Sequence, residues 1–341
     1  MTIALDATYS LDRRPTGVGV YSREMLWGLA GAHPEERFRF CYRPHRLRAS
    51  LRDPLPPNCR RALLHGLWPP AGELFHGLNQ RLPRRRPRRA VTTFHDLFVL
   101  TAEYSTPEFR SRFAAQARHA AENSDLIISV SAFTARQVEG LLGVPPARIR
   151  VVHHGVRPMV LPETAREKIV LHVGAIQKRK NVERLVTAFE MLPQEWRLVL
   201  AGSYGYGAAA ILERIGKSPA CRRILVADYV AAPTLADWYA RSSIFAFPSL
   251  DEGFGMPVLE AMAAGLPVVA SNRAAIPEVA GDAAVLIDPE DTCALAGELR
   301  RLIEDEVARS ALSAKGRSRA AQFTWTKAVE STWRAYQEIV R

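Results

Sequence analysis

Several features are scarce or missing in this 341-residue chain. No apolar run approaches the roughly 18 residues that a membrane-spanning helix needs. The N-terminus lacks the basic stretch followed by an apolar one that marks a secretory signal. The few cysteines stand far apart without metal-type pairing, which argues against a disulfide framework and a zinc site. We therefore expect a cytosolic protein whose four cysteines are packing residues: Cys41, Cys59, Cys221 and Cys293.

Lysine is absent from residues 1–160, which carry 24 arginines against 13 acidic residues, whereas residues 161–341 have 22 basic and 22 acidic side chains. The whole excess of positive charge, +11, therefore lies in the first half. Such a one-sided field favours anionic lipid, a phosphate-bearing acceptor or nucleic acid as a partner. The asymmetry also predicts a domain boundary near residue 160.

The hydrophobic pattern is that of an α/β protein. Short β-branched or aromatic runs alternate with longer amphipathic ones, which predicts βα units around parallel sheets. The segment 155–166 contains two prolines and reads as a linker. The predicted domains are 1–160 and 161–325, and the final helical stretch, 326–341, could pack back on the N-terminal domain.

The strongest local signal is FAFPSLDEGFGMPVLEAMAAG, residues 245–265. It predicts a strand, a glycine-bearing loop and a helix with Pro257 at its start. Loops at the carboxyl ends of parallel strands are where open α/β sheets bind ligands. Gly253 and Gly255 permit close backbone approach, and Glu252 in the loop and Glu260 in the first helical turn could both accept hydrogen bonds from hydroxyl groups. A structural interpretation is also open, in which the glycines only form the turn and Glu260 complements the helix dipole.

This segment resembles the two-glutamate signature of glycosyltransferase family 4. The similarity continues into SNRAAIPEVAGDAAVLIDP, residues 271–289. The resemblance implies the GT-B architecture, which has two facing Rossmann-like domains with parallel sheets and a deep interdomain cleft. It further implies that Glu252 binds hydroxyls of the donor sugar and that Glu260 binds the ribose.

A second signal is VGAIQKRKN, residues 173–181, a strand end followed by a basic loop. Two of its three adjacent cations, together with helix N–H groups, could hold a diphosphate, although a solvated basic turn would have the same composition. The resemblance assigns Arg179 and Lys180 to the donor pyrophosphate. Family members often carry arginine after the glycine, where this chain has Ala175, so fewer cations are expected at the phosphates.

Two weaker signals lie in the first half. TGVGVY, residues 16–21, predicts a glycine-rich turn before a helix, but it lacks the third glycine and the acidic residue of a dinucleotide fingerprint. FHD, residues 94–96, places His95 at a strand end, where a lone histidine is more often structural. The resemblance puts Gly17 and Gly19 opposite the donor phosphates and His95 against the reacting sugar.

No Asp-x-Asp occurs in the chain, which removes the usual carboxylate bridge between a divalent metal and a nucleotide diphosphate. Cationic side chains must then neutralise the leaving group, and we predict no metal site and no cofactor. The resemblance assigns donor binding and catalysis to overlapping sets of residues. The donor-binding set is Gly17, Gly19, Gly174, Arg179, Lys180, Glu252, Gly253, Phe254, Gly255, Met256, Pro257, Val258 and Glu260; the catalytic set is His95, Arg179, Lys180 and Glu252.

The basic run RLPRRRPRR, residues 81–89, contains two prolines and is predicted to be an exposed loop. It could serve solubility alone, or it could attract acidic lipid or an acceptor. Nucleic-acid binding is disfavoured because no aromatic residue is interleaved with the arginines. The predicted membrane or acceptor patch consists of Arg84, Arg85, Arg86, Arg88 and Arg89.

The resemblance therefore implies a retaining transferase that moves a hexose from a GDP- or UDP-sugar to a glycan or lipid-linked acceptor. The VGxIxxRKN form of residues 173–181 resembles that of bacterial transferases that build surface polysaccharide or glycolipid from donors such as GDP-mannose, which implies mannose as the sugar and a place at the inner face of the membrane. Two other classes remain open at this point: a non-catalytic lipid- or nucleic-acid-binding protein, and an epimerase or phosphorylase of similar architecture.

Overall fold

A computed structural model of the chain describes residues 1–12 and 14–340. These residues form two compact units, each built around its own parallel sheet. The first unit is Met1–Gly155 together with the C-terminal segment from Thr324 onward, and the second is Val156–Phe323. No helix in the described part of the chain combines the length and apolar character that a bilayer span requires.

The sheet of the first unit has seven strands, all paired in parallel, in the order β3-β2-β1-β4-β5-β6-β7. The central strands are fully buried, as expected when helices cover both faces of a parallel sheet. The strands are β1 Thr2–Asp6, β2 Arg37–Tyr42, β3 Cys59–Leu63, β4 Leu74–Gly77, β5 Ala90–Phe94, β6 Leu126–Ser129 and β7 Ile149–Val151.

Helices of the first unit begin where side chains can cap them. Thr106 accepts a hydrogen bond from the Phe109 amide, and Ser131 accepts one from the Thr134 amide, so each cap satisfies a donor at the start of a helix. The helices are α1 Gly17–Ala32, α2 Pro44–Ser50, α3 Phe98–Thr101, α4 Pro107–Asn123 and α5 Ala132–Leu142.

The second unit has a six-stranded parallel sheet in the order β10-β9-β8-β11-β12-β13. Its strands are β8 Ile169–Val173, β9 Arg197–Ala201, β10 Ile224–Val226, β11 Ile244–Phe247, β12 Val268–Ser271 and β13 Val285–Ile287. Its helices are α6 Val182–Glu190, α7 Ala208–Gly216, α8 Ala232–Arg241, α9 Met256–Ala263, α10 Ile276–Ala280, α11 Thr292–Glu304 and α12 Glu306–Ala320.

The last helix, α13 Trp325–Val340, belongs to the first unit and packs against α1. A Cβ added at Gly28 would lie only 2.5 Å from Cγ2 of Val329, so the two helices approach closely there. A buried hydrogen-bond chain also ties α13 to the sheet: the Tyr336 hydroxyl lies 2.5 Å from Nδ1 of His76, and Nε2 of His76 lies 2.8 Å from Oγ1 of Thr93.

The α/β prediction is confirmed, whereas some elements were not predicted from the sequence. The unpredicted ones include β3, β4, α2, α7 and α12. The predicted turn over residues 16–19 is wrong in detail, because α1 already begins at Gly17 and Thr16 is its N-cap residue. The packing role expected of all four cysteines holds for Cys41 and Cys59, which are buried, but Cys221 and Cys293 are exposed.

Candidate functional site

The two motifs of the second half follow neighbouring strands. β8 pairs with β11 in parallel, so the loops that leave their carboxyl ends start at the same edge of the sheet. One loop carries Arg179 and Lys180, and the other carries Glu252. The motifs are 72 residues apart in sequence, and the sheet order brings them together.

Local geometry sets the direction of the two cations. Residues Lys178–Lys180 form a 3₁₀ turn, and Asn181 follows it in the left-handed conformation (φ 57°), from which α6 starts. The Asn181 side-chain amide donates to the carbonyl oxygens of Pro248 (3.1 Å) and Pro289 (2.7 Å). The amide of Leu250 donates to the Arg179 carbonyl at 2.9 Å, so the two loops hold each other in place.

Arg179, Lys180 and Glu252 form a buried charged triad. Nη1 of Arg179 lies 3.0 Å from Oε2 of Glu252, and Nζ of Lys180 lies 2.5 Å from Oε1 of the same carboxylate. Nη1 of Arg179 also donates to the carbonyl of Asp251, and Nζ of Lys180 lies 4.7 Å from the centre of the Phe247 ring. The three side chains are 8 to 9% exposed.

The electrostatics of this triad favour the ionised carboxylate. Burial acts to raise the pKa of Glu252, but the charges of Arg179 and Lys180 outweigh burial and lower that pKa to about 2. The triad therefore carries two positive charges and one negative charge at neutral pH, which leaves an excess of one positive charge for an anionic ligand. Removing one partner of such a buried ion pair destabilises the fold, because the other charge stays buried without its partner.

Gly255 and Glu260 belong to the helix that follows the triad loop. Gly255 is the N-cap of α9 with φ +100°, and a Cβ there would lie 2.5 Å from Cδ1 of Ile276, so glycine is required on both counts. Pro257 is the second residue of α9, one position later than predicted. Glu260 is its fifth residue, beyond the first turn in which it was predicted.

The carboxylate of Glu260 has a partner that the sequence did not indicate. Oε2 of Glu260 accepts a hydrogen bond from the Tyr239 hydroxyl at 2.9 Å. Tyr239 is fully buried on α8, and burial raises the pKa of Glu260. The two glutamates of the motif therefore lie in different polar environments, one between two cations and one beside a phenol.

His172 lies next to the triad at the end of β8. Its Nδ1 donates to the carbonyl of Ala246 at 3.0 Å, and its ring stacks on Phe247. Its Nε2 is buried and has no hydrogen-bond partner among the described residues, and burial lowers the pKa of His172 to about 4. A Cβ at Gly174 would lie 3.3 Å from Cε of Lys180 and 3.5 Å from Nε2 of His172. Glycine at this position therefore leaves the space next to these two atoms open.

In the first unit, His95 follows β5 in a buried aromatic cluster. Its Nε2 lies 2.9 Å from the Leu78 carbonyl, which can only accept, so this nitrogen carries the proton and Nδ1 keeps a lone pair. Burial lowers the His95 pKa to about 4, which keeps the ring neutral at physiological pH. The Tyr21 ring meets it edge-on at 4.7 Å, and the His154 ring stacks at 5.4 Å. The sequence did not identify His154 as a partner, although the paired histidines 153 and 154 directly after a strand marked the position.

The two glycines of the first unit have different environments. Gly17 is exposed at the first position of α1, whereas Gly19 is buried, and a Cβ on it would lie 3.2 Å from the Tyr9 carbonyl oxygen. Close packing therefore requires glycine at position 19. The structure contains no contact that tests a ligand role for either residue.

The arginine run forms an irregular segment, residues 81–89, between β4 and β5. Four of the five predicted patch residues are exposed, and Arg89 is half-buried. No aromatic residue lies within the run, but one from another loop lies beside it: the guanidinium carbon of Arg85 is 3.6 Å from the ring centre of Trp68. Arg86 pairs with Asp125 at 2.5 Å, so not every arginine of the run presents a bare charge.

Within the described residues, no group of three or more histidine, cysteine or acidic side chains is arranged to hold a metal ion.

Comparisons with known proteins agree with this arrangement. The family description Glycosyltransferase Family 4 matches residues 17–159, and Glycosyl transferases group 1 matches residues 159–319. O-antigen chain mannosyltransferase B of Escherichia coli is 32% identical over 282 residues, which cover 77% of this chain and 74% of that protein.

Solved structures show the same fold. Sucrose-phosphate synthase from Thermosynechococcus elongatus superposes with a TM-score of 0.81 at 22% identity, over 99% of both chains. Anabaena HepE, solved in complex with UDP and glucose, superposes with a TM-score of 0.76 at 16% identity, also over 99% of both chains.

Two parallel-sheet units with these motifs at the strand ends, together with these relatives, define a glycosyltransferase of the GT-B fold. The chain belongs to glycosyltransferase family 4. Of the classes that the sequence left open, the transferase is the one that the relatives support.

Proposed function

We propose that this glycosyltransferase moves a hexose, with mannose as the leading candidate, from a nucleotide-diphosphate sugar to a glycan or lipid-linked acceptor of cell-surface polysaccharide. The mannosyltransferase relative from an O-antigen pathway supports the sugar and the acceptor class. The UDP complex of the structural neighbour HepE supports a nucleotide donor, with GDP and UDP both to be tested.

The observation that carries this proposal is the buried triad of Arg179, Lys180 and Glu252 at the carboxyl edge of the second sheet. Two cations held 3 Å or less from one carboxylate can exchange that carboxylate for the oxygens of a diphosphate. The released Glu252 is then free to accept hydrogen bonds from sugar hydroxyls. One site thus holds both the leaving group and the sugar.

The proposed chemistry needs charge compensation as the nucleotide diphosphate leaves. Arg179 and Lys180 supply it, because they are buried and prealigned, and electrostatic interactions gain strength away from water. Glu260 holds a ribose hydroxyl, with Tyr239 orienting its carboxylate. The acceptor attacks from the face that the leaving group vacates, which retains the configuration at the anomeric carbon.

His95 is proposed to contact the transferred sugar as a neutral ring. Its proton is committed to the Leu78 carbonyl, so Nδ1 acts as an acceptor for a sugar hydroxyl and the ring carries no charge at neutral pH. The role is binding and orientation of the sugar. A His95→Asn variant, which keeps an acceptor, is expected to lose less turnover than His95→Ala.

Donor hydrolysis and transfer assays test the proposal. A thermal-shift screen with GDP-mannose, UDP-glucose and related nucleotide sugars first identifies the donor, since a bound donor raises the melting temperature. Glu252→Ala and Lys180→Ala should each lower turnover of that donor by about two orders of magnitude or more. Glu290→Ala, which removes an exposed carboxylate of the same unit, is the matched control. Full turnover in both site variants would refute the assignment.

Retention of configuration at the anomeric carbon is tested by a separate measurement. The anomeric configuration of the first-formed product, read by NMR before it equilibrates, should equal that of the donor. An inverted product would contradict the front-face mechanism while leaving the donor site in place.

The first unit is proposed to bind an anionic membrane surface through its arginine segment. The amides of Arg84 and Arg85 donate to the carbonyls of Gly66 and Leu67 at 3.0 and 3.1 Å, which joins this segment to the loop after β3. Leu67 and Trp68 of that loop are 45% and 54% exposed. Exposed apolar side chains beside exposed arginines match the interfacial and headgroup regions of an anionic bilayer.

Vesicle binding tests this surface. Binding to phosphatidylglycerol vesicles should exceed binding to phosphatidylcholine vesicles and weaken with salt, because each arginine near the surface contributes about 1 kcal/mol. Trp68→Ala and Arg85→Gln should reduce binding, whereas Leu225→Ala, an exposed apolar residue of the second unit, should not. Equal binding to both vesicle types would rule out the charged surface.

A further inference from the structure

The first unit contains a cavity of about 240 Å³ that the donor assignments do not use. Loops after β2, β3 and β4 line it, together with Phe75 of β4 itself. Its apolar wall consists of Phe75, Leu64 and Leu82, and its polar groups include Arg43, Arg81 and His65. A cavity of this kind, apolar with a few convergent polar groups, is typical of a small-molecule site.

The cavity lies where ligands of parallel sheets bind. Strand β1 pairs with β2 on one side and with β4 on the other, so the strand order reverses direction beside β1. Crevices at such a switch point, beyond the carboxyl ends of the strands, are the usual binding positions in open α/β sheets. Arg43 directly follows β2, and Arg81 lies four residues beyond the end of β4.

Neither arginine has an ion-pair partner among the described residues. Nε of Arg43 is buried and makes no hydrogen bond to a described residue, whereas Arg23, Arg46 and Arg86 of the same unit each pair with an aspartate. Arg43 as a whole is half-buried, but its Nε has lost contact with water without gaining a partner among the described residues, which points to a ligand that completes its hydrogen bonds.

The nearest buried carboxyl does not cancel this charge. Asp6, at the end of β1, is 1% exposed, and its Oδ2 has no hydrogen-bond partner. Burial raises the pKa of Asp6, and the charges of Arg43 and Arg81 act against that rise. Even with Asp6 ionised, two guanidinium groups and one carboxylate leave one positive charge.

The backbone fixes the position of Arg81. A Cβ added at Gly77 would lie 2.4 Å from the Arg81 carbonyl oxygen, and the Arg81 amide donates to the Asn79 carbonyl at 2.8 Å. The tight turn after β4 therefore packs directly under this arginine. The guanidinium of Arg81 lies 5.7 Å from the ring centre of Tyr9, which limits its directions further.

We propose that this cavity is the acceptor subsite and that Arg43 and Arg81 bind an anionic group, phosphate or carboxylate, carried by the acceptor. The forked guanidinium geometry suits both groups, and the apolar wall suits the face of a sugar ring. The acceptor role rests on the proposed transferase function, whereas the binding of an anion here does not.

Calorimetry with mannose 6-phosphate, glucuronate and neutral mannose tests the site. At least one anionic probe should bind, and Arg43→Gln and Arg81→Gln should each weaken it about tenfold or more, the loss expected for a charge-assisted contact. Comparison of the two anionic probes decides between phosphate and carboxylate. Equal binding of neutral mannose would overturn the proposal.

Two matched variants separate this site from other sources of positive charge. Arg84→Gln removes an exposed arginine of the same segment and should leave probe binding unchanged. Lys180→Gln removes a cation of the donor site and should also leave it unchanged, so failure of the donor assignment would not be mistaken for failure of this one. A loss in Arg84→Gln equal to that in Arg81→Gln would reduce the effect to general surface charge and refute the subsite.

The same samples are used to check that each variant is folded. The Arg43→Gln, Arg81→Gln and Arg84→Gln variants should keep the melting temperature and the nucleoside-diphosphate binding of the wild type. If Arg43→Gln fails to fold, Arg81→Gln alone decides, because its side chain is half-buried and has no hydrogen-bonded role in the core. Wild-type affinity in a folded Arg81→Gln variant would then refute the proposal.

Discussion

Replacing Glu252 by glutamine separates the contribution of the triad to stability from its contribution to ligand binding. In the structure this carboxylate is the counter-ion of Arg179 and Lys180. A diphosphate must take over that role when it binds. Glu252→Gln leaves both cations without their counter-ion, so we expect a less stable protein that binds nucleoside diphosphate more tightly and transfers sugar more slowly.

The structure sets the size of the stability effect. The pKa of Glu252 is lowered from 4.5 to about 2, and a shift of that size corresponds to about 3 kcal/mol at neutral pH. A carboxyl with a lowered pKa contributes this stability above pH 4.5 and loses it as the pH falls toward 2. Breaking a buried pair from one side costs about 3 to 5 kcal/mol, in agreement. For a unit of this size we expect the melting temperature to fall by roughly 6 to 12 °C.

Calorimetric titration with GDP and UDP, together with thermal melts, measures both effects. The nucleotide that the wild type binds should bind about tenfold or more tightly to Glu252→Gln, and it should raise the melting temperature of the variant more than that of the wild type. Glu290→Gln, which removes an exposed carboxylate paired with Arg273, serves as the control. Weaker nucleotide binding in a folded Glu252→Gln variant would refute the counter-ion exchange.

Three other predictions follow from the same structure. His76, His95 and His172 have pKa values lowered to about 3, 4 and 4, so they are neutral in the fold and take up protons on unfolding. The free energy of unfolding should therefore fall as the pH drops from 6.5 to 4, by up to about 1.4 kcal/mol per pH unit for each group, and the melting temperature should fall with it. A melting temperature that does not change with pH would contradict the burial of these histidines. Gly255→Ala should destabilise the second unit by about 1 to 3 kcal/mol and weaken nucleotide binding. Gly297→Ala should instead stabilise the unit by about 0.5 to 1 kcal/mol, because Gly297 is an exposed residue of α11 and a Cβ there meets nothing within 4 Å. Chemical denaturation of both variants distinguishes these outcomes. Transfer should persist in EDTA within about twofold, since cations take the place of a metal at the leaving group, and a loss that Mg²⁺ or Mn²⁺ restores would contradict this.

Local chemistry in the sequence was sufficient for many elements of the fold. The helices α4, α5 and α11 begin directly after Thr106, Ser131 and Asp291, whose side chains accept hydrogen bonds from amides of the first helical turn. Runs of apolar residues likewise mark β8, β9 and β11. These signals lie within a few residues of the elements that they define.

Elements without such local signals were missed. The edge strand β3 has one buried residue, Cys59, and carries two arginines, and β4 has only four residues. Both become strands because distant neighbours pair with them, so their evidence lies in the sheet rather than in their own residues. The helix α12 has buried residues only at Gly316 and Ala320, which gives a weak periodic pattern.

The candidate site likewise depends partly on local sequence and partly on tertiary structure. The sequence determined the residue types, two adjacent cations after one strand and a glutamate in a glycine-bearing loop after another, and the family resemblance supplied their expected roles. Only the tertiary structure decided that Arg179 and Lys180 turn toward the same carboxylate, because the pairing of β8 with β11 sets that meeting. The cavity around Arg43 and Arg81 also depended on tertiary structure, since charge composition predicts an excess of arginine but does not determine which arginines are left without a carboxylate.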